Sequence, residues 1–167
     1  MSFHRNHPAF YCLITLAAAA AFLVLTAVGS MAEERSLSSG QTVYVPAYSH
    51  IYQGSLNRPF NLTVLLSIRN VSPIEPIIIT SVEYYDDSGD LVRAMDELPV
   101  VVPPMATKEY LVAESDDTGG SGANFVVAWE AQRPVPAAHL ESVMISTRSS
   151  QGISFRCPGV VIKERSK

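Results

Sequence analysis

From Phe60 to Ile68 the chain alternates in character. Phe60, Leu62, Val64, Leu66 and Ile68 fall on one side, and Asn61, Thr63 and Ser67 on the other. A period of two is the pattern of a β-strand with one face in a core and one face in water, and a helix cannot sort these residues. Leu65 is the exception. Asn70, Ser72, Pro73 and Pro76 stop the run, because proline lacks the N–H a ladder needs. The chain restarts as the β-branched segment Ile77 to Val82 and halts again at Asp86-Asp87-Ser88-Gly89. The stretch predicts two long core strands of an antiparallel β-domain.

The same logic extends along the chain. Thr42 to Tyr52 reads as an edge strand bent at Pro46, and Gly54 to Pro59 as a loop. Asp87-Ser88-Gly89-Asp90 predicts a tight turn into Leu91–Ala94. Leu98 to Val102 and Thr107 to Val112 read as short strands either side of a Pro103-Pro104 corner. Phe125, Val127 and Trp129 share a strand face, which makes the single tryptophan a large piece of core. Arg133-Pro134-Val135-Pro136 is expected to break that strand. Val143 to Thr147 and Ile153 to Phe155 read as further strands, Gln151-Gly152 as the turn between them, and Val160 to Ile162 as a candidate last one. Roughly seven to nine short strands without an amphipathic helix predict an all-β, immunoglobulin-like antiparallel β-sandwich, with a jelly roll or small β-barrel as the alternative.

Residues 1–32 have the order of a secretory leader. Arg5, with His4 and His7, precedes the uncharged run Leu13 to Val28, and Ser30-Met31-Ala32 places small residues where a signal peptidase reads. An uncleaved membrane anchor is the alternative, since the apolar run from Phe10 to Val28 approaches the length of a spanning helix. Residues 33–40 read as a polar tether, 41–163 as the β-sandwich domain and 164–167 as a charged tail. The chain is expected to be exported to a periplasm or cell envelope. Of 12 basic residues only Arg5 lies in the leader, while all 16 acids lie beyond it. A mildly acidic domain with no basic patch argues against nucleic acid as partner, and leaves membrane contact to an uncleaved leader. Cys157 is the one cysteine after the leader, so no intrachain disulfide forms in the mature domain. It reads as a small buried hydrophobe beside Phe155.

YVPAYSHIY, LSIRN, ITSVEYYD, ESDDTGGSGANF and QGISF together resemble the bacterial exported family called domain of unknown function 3124, over about Val43 to Ile162. The resemblance implies an envelope location. The family has no established activity, substrate or catalytic residues, so no role transfers.

The candidate functional residues lie in Glu114 to Asn124. Asp116, Asp117, Thr118, Gly119, Gly120, Ser121, Gly122 and Asn124 form a candidate interaction loop, because glycines free the backbone to expose successive N–H and C=O groups. Glu114, Asp116 and Asp117 are candidate oxygen ligands, with calcium as the one cofactor that would suit them. His50 and His139 are far apart in sequence, and Gly120-Ser121-Gly122 lacks the strand-to-helix context of a nucleophile elbow. No catalytic residue is assigned. A binding or interaction module with an unknown envelope protein or ligand as partner is the reading preferred to a calcium-binding structural domain or an enzyme.

Overall fold

The computed structural model describes residues 37–53, 58–95, 98–147 and 152–165. The leader, residues 33–36 of the tether, the Gly54–Asn57 part of the expected loop, Gln151 of the expected turn and the end of the charged tail lie outside the described residues. Residues 35–167 form one compact unit, and the described part is all-β.

Twelve strands build it. The larger sheet has the order β12 (Val160–Glu164), β1 (Leu37–Pro46), β9 (Asn124–Pro136), β5 (Ile77–Tyr85), and β6 (Leu91–Ala94) and β7 (Val100–Val102) share the far side of β5. The smaller sheet has the order β11 (Ile153–Pro158), β10 (His139–Ser146), β4 (Thr63–Arg69), β8 (Thr107–Val112). Between them in sequence, β2 (His50–Gln53) and β3 (Arg58–Asn61) form a separate hairpin. All ladders are antiparallel, and no barrel closes among the described residues. The result is a β-sandwich.

Alternation sets the core. Leu62, Val64, Leu66 and Ile68 are fully buried and join Val43, Val45, Val82, Tyr84, Phe125, Val127, Trp129 and Met144 in one cluster drawn from both sheets. Each such aliphatic side chain withdrawn from water is worth roughly 1.5–3 kcal/mol. The exceptional Leu65 faces outward, where Leu111 of β8 and Val143 of β10 flank it. Two serines on the inner face of the smaller sheet are bonded: Ser142 donates to the Pro46 carbonyl across the sandwich, and Ser146 donates to Glu114 at 3.2 Å. The chain passes from β11 to β12, and so between sheets, at Gly159. A Cβ there would stand 2.7 Å from Val43 Cγ1 and 3.1 Å from the Leu140 carbonyl, so only glycine fits this close crossing.

Four expectations change. The segment around Pro46 is not an edge, because β12 covers β1 from Gln41 to Tyr44; Pro46 ends the strand beyond that cover, where no ladder partner needs its missing N–H. The strand begins at Leu37, within the span expected as a polar tether, since Ser38 satisfies itself on the Gly40 carbonyl and on Glu164. Arg133 to Pro136 does not break β9. From Ala131 onward the strand has β1 as its sheet neighbour but not β5, so the prolines sit against an open side. Finally there are more strands than seven to nine. The segment expected as one strand bent at Pro46 divides into β1 and β2, and the alternating run from Phe60 divides at Leu62 into β3 and β4, because β2 and β3 pair with each other and draw Arg58 and Pro59 out of the expected loop. β12 also runs into the tail as far as Glu164.

Candidate functional site

Glu114 to Asn124 bridges β8 of one sheet and β9 of the other, and it is tightly built. Asp116 accepts from the Thr118 hydroxyl at 2.6 Å and its backbone N–H at 3.3 Å, and pairs with Arg93 of β6 at 2.8 Å. The Ser49 N–H donates to the Gly120 carbonyl at 3.0 Å, and the Ala47 N–H to the Ala123 carbonyl at 2.8 Å. The buried Ser49 hydroxyl reaches the carbonyls of Asp117 and Gly120. Gly120 turns the chain with φ of 75°. Asn124 is already the first residue of β9, opposite Pro46 and Tyr85. Several carbonyls of the backbone expected to face a ligand are therefore bound to the connection between β1 and β2, and Ser115, Asp117, Thr118 and Gly122 are what the loop exposes.

The loop seals a buried tyrosine. Gly119 lies directly on the Tyr84 ring: a Cβ at Gly119 would overlap the hydroxyl oxygen and stand 2.5 Å from Cζ and 2.7 Å from the Ala123 Cβ. Beneath, Tyr84 packs on Phe125 at 4.8 Å between ring centroids, and the Arg93 guanidinium lies 5.0 Å from its centroid. Burial, with Asp116 adding to it, pushes the Tyr84 pKa up to about 12, against the opposing pull of Arg93 and Ser49. Although Ser49 is close, its hydroxyl is directed to the two loop carbonyls, and the Tyr84 hydroxyl makes no hydrogen bond of acceptable geometry. Sequence reasoning missed Ser49, Tyr84 and Arg93. The signal was there for Tyr84, which follows Val82 at the core spacing, whereas Arg93 sits in a strand too short to show a face.

The three candidate ligand carboxylates are engaged separately. Glu114 accepts from Ser146, Asp116 is held by Arg93 and Thr118, and Asp117 is exposed. Among the described residues no three His, Cys, Asp or Glu side chains converge as a metal would require. Burial alone would raise the Asp116 pKa, but the Thr118 and Arg93 hydrogen bonds outweigh it and hold the carboxyl below its usual range. A depressed folded pKa contributes stability that is complete above the unfolded value of roughly 3.9 and is lost as pH falls through the folded value. Asp116→Asn is thus expected to lower stability at pH 7 and to flatten the acid limb of a urea-midpoint-versus-pH profile. An unchanged profile would show that the pair with Arg93 contributes nothing.

Two other surfaces stand out. On the outside of the smaller sheet, the Glu141 carboxylate is approached by Arg156 at 3.2 Å, His139 at 3.5 Å and Arg69 at 3.9 Å. At the end of the larger sheet, every residue of β12 is exposed, including Val160, Val161 and Ile162. Ile162 is the extra residue of a bulge, since Thr42 pairs Lys163 while Val43 pairs Val161. Cys157, half-buried opposite Ser142, has its thiol pKa raised by burial, which keeps it in the unreactive protonated form.

A family model described as "Protein of unknown function (DUF3124)" matches residues 40–162, from within β1 into β12. The chain belongs to the DUF3124 family. All of the loop, Tyr84, Arg93 and Ser49 fall inside the span that defines DUF3124, as do Val160 to Ile162. No curated protein matches this DUF3124 chain. Among solved structures it is similar to Thermotoga maritima 1070, known from a crystal structure, with 10% identity, 75% of this chain and 97% of that chain covered, and a TM-score of 0.46.

Proposed function

We propose that this DUF3124 protein is an exported interaction module of the cell envelope that binds an extended segment of a partner protein along β12. The observation that carries this reading is that, among the described residues, no strand lies on the outer side of β12. A terminal strand presents a row of unpaired N–H and C=O groups, which an incoming chain can extend as one more strand, with side-chain pockets adding selectivity. Three other edges carry features that discourage strand addition. β8 turns Lys108 toward the Tyr110 ring, at 5.2 Å from its centroid; β7 is three residues long between Pro99 and Pro103; β11 ends at Pro158. On β12 the three aliphatic residues Val160, Val161 and Ile162 face solvent with no proline among them.

A photo-crosslinking side chain at Val160 is expected to capture one discrete partner in intact envelopes, while the same probe at Ser154 on β11 captures none. The pair Val160→Lys and Ile162→Lys, at exposed positions, is expected to abolish capture by a probe at Val161 while shifting the melting temperature little. Equal capture at Val160 and Ser154, or capture that survives both lysines, would sink the β12 reading.

A further inference from the structure

At the end of the sandwich opposite the Tyr84 loop, two turns display the most exposed large apolar side chains among the described residues. Ile74 is 77% exposed and Met105 is 71% exposed. Ile74 lies in the β4–β5 crossover and Met105 in the corner between β7 and β8. The two turns are welded together by buried polar groups. The Asn70 amide is shared among the carbonyls of Glu75 at 2.9 Å, Pro103 at 3.0 Å and Val102 at 3.1 Å, while its oxygen accepts from the Ser72 N–H. The Ser72 hydroxyl accepts from the Glu75 N–H, and its carbonyl takes the Met105 N–H at 3.1 Å. The sandwich thus holds Ile74 and Met105 on a fixed shelf.

Met105 has φ of 59°, the left-handed region where glycine or asparagine would cost less. A large apolar residue held in a sparsely populated backbone conformation, with its side chain in water, points to a surface that something covers. The covering material is indicated by where the chain enters. β1 begins at this same end: Leu37, 66% exposed, pairs with Pro136, and Arg133, three residues before Pro136 on β9, reaches Glu75 of the shelf at 3.5 Å. Upstream in the sequence, only residues 29–36 separate Leu37 from the apolar run Leu13 to Val28. Eight residues extend to about 30 Å at most.

We propose that the Ile74–Met105 shelf docks on the surface of a lipid bilayer in which the apolar run Phe10 to Val28 is retained as an anchor. The proposal rests on export and on anchor retention, and is independent of the β12 reading. Two aliphatic side chains are too little to hold a protein on a bilayer alone, as even a single acyl chain gives marginal, reversible binding. The anchor supplies the missing part by keeping the shelf at high local concentration beside the surface. The chain is acidic overall, so apolar contact and not attraction to anionic headgroups drives docking, and it persists when salt is raised.

The test uses the full chain with Cys12→Ser and Cys157→Ser, reconstituted in phosphatidylcholine vesicles, with an environment-sensitive fluorophore on a single new cysteine at Ile74, Met105 or the control Ser154. The expected result is a blue shift and quenching by lipid-borne nitroxide at the first two sites but not the third, unchanged at high salt. Ile74→Glu is expected to reduce the lipid quenching of a Met105 label. Retention of near-ultraviolet dichroism from Trp129 checks that each labelled chain is folded. Labels at Ile74 and Met105 as open to an aqueous quencher as the label at Ser154 would overturn the proposal. So would labels shielded from water but not quenched from the lipid, the sign of a second copy or another protein on the shelf.

Discussion

Trp129→Ala is expected to destabilise the domain by about 3–5 kcal/mol, the usual range for deleting a large aromatic from a core. That is a large share of the roughly 5–15 kcal/mol by which a domain is stable. Trp129 is 2% exposed and lies in the third-from-edge strand of the larger sheet, paired with the buried Gln41 on one side and Ile79 on the other. Its backbone carbonyl closes on Gly40, where a Cβ would stand 2.6 Å away, so the neighbourhood has little freedom to collapse into the space the ring leaves. The indole N–H makes no hydrogen bond. Trp129→Phe is therefore expected to lose much less than Trp129→Ala, because it keeps most of the ring volume and forfeits no bond. Urea unfolding of the two variants decides it. Equal losses would assign the tryptophan's contribution to its N–H, and no loss in either would place the ring outside the core.

Gly119→Ala is expected to destabilise by about 1–3 kcal/mol through overpacking, although it adds one methyl group in a loop where substitutions are ordinarily harmless. The added carbon overlaps the Tyr84 hydroxyl and presses on Cζ and on Ala123. Tyr84 cannot retreat, since Phe125 lies beneath its ring and Arg93 is held across it by Asp116. Tyr84→Phe by itself is expected to be neutral or mildly stabilising, because a buried hydroxyl without a made hydrogen bond carries a desolvation cost. In that background Gly119→Ala should be partly tolerated: the hydroxyl overlap disappears while the approach to Cζ remains. A double-mutant cycle in urea measures this coupling. Strict additivity would mean that the loop lifts away from the tyrosine and that the seal is not part of the stable fold.

Much of the fold was legible because alternation is a local property. The inward set from Leu62 to Ile68, the restart at Ile77, the turn at Asp87 to Asp90 and the placing of Phe125, Val127 and Trp129 follow from which side chains can share a face, and neighbours a few residues apart decide that. The candidate loop was legible as a loop for the same reason, because Glu114 to Gly122 has nothing apolar to bury. Which strands are neighbours was not legible. The two strands that alternation marks most clearly, β4 and β5, end in different sheets, and β1 became interior because Val160 to Glu164 arrived beside it from the far end of the chain. Nothing in five exposed residues with no period announces that pairing. The loop's polar groups turned toward Ser49, Ala47 and Arg93, and Gly119 onto Tyr84, for a related reason. A loop's hydrogen-bond partners lie on segments remote in sequence, so sequence by itself determined the faces of the strands and the composition of the loop, and tertiary packing decided the sheet order, the open edge at β12 and the seal over Tyr84.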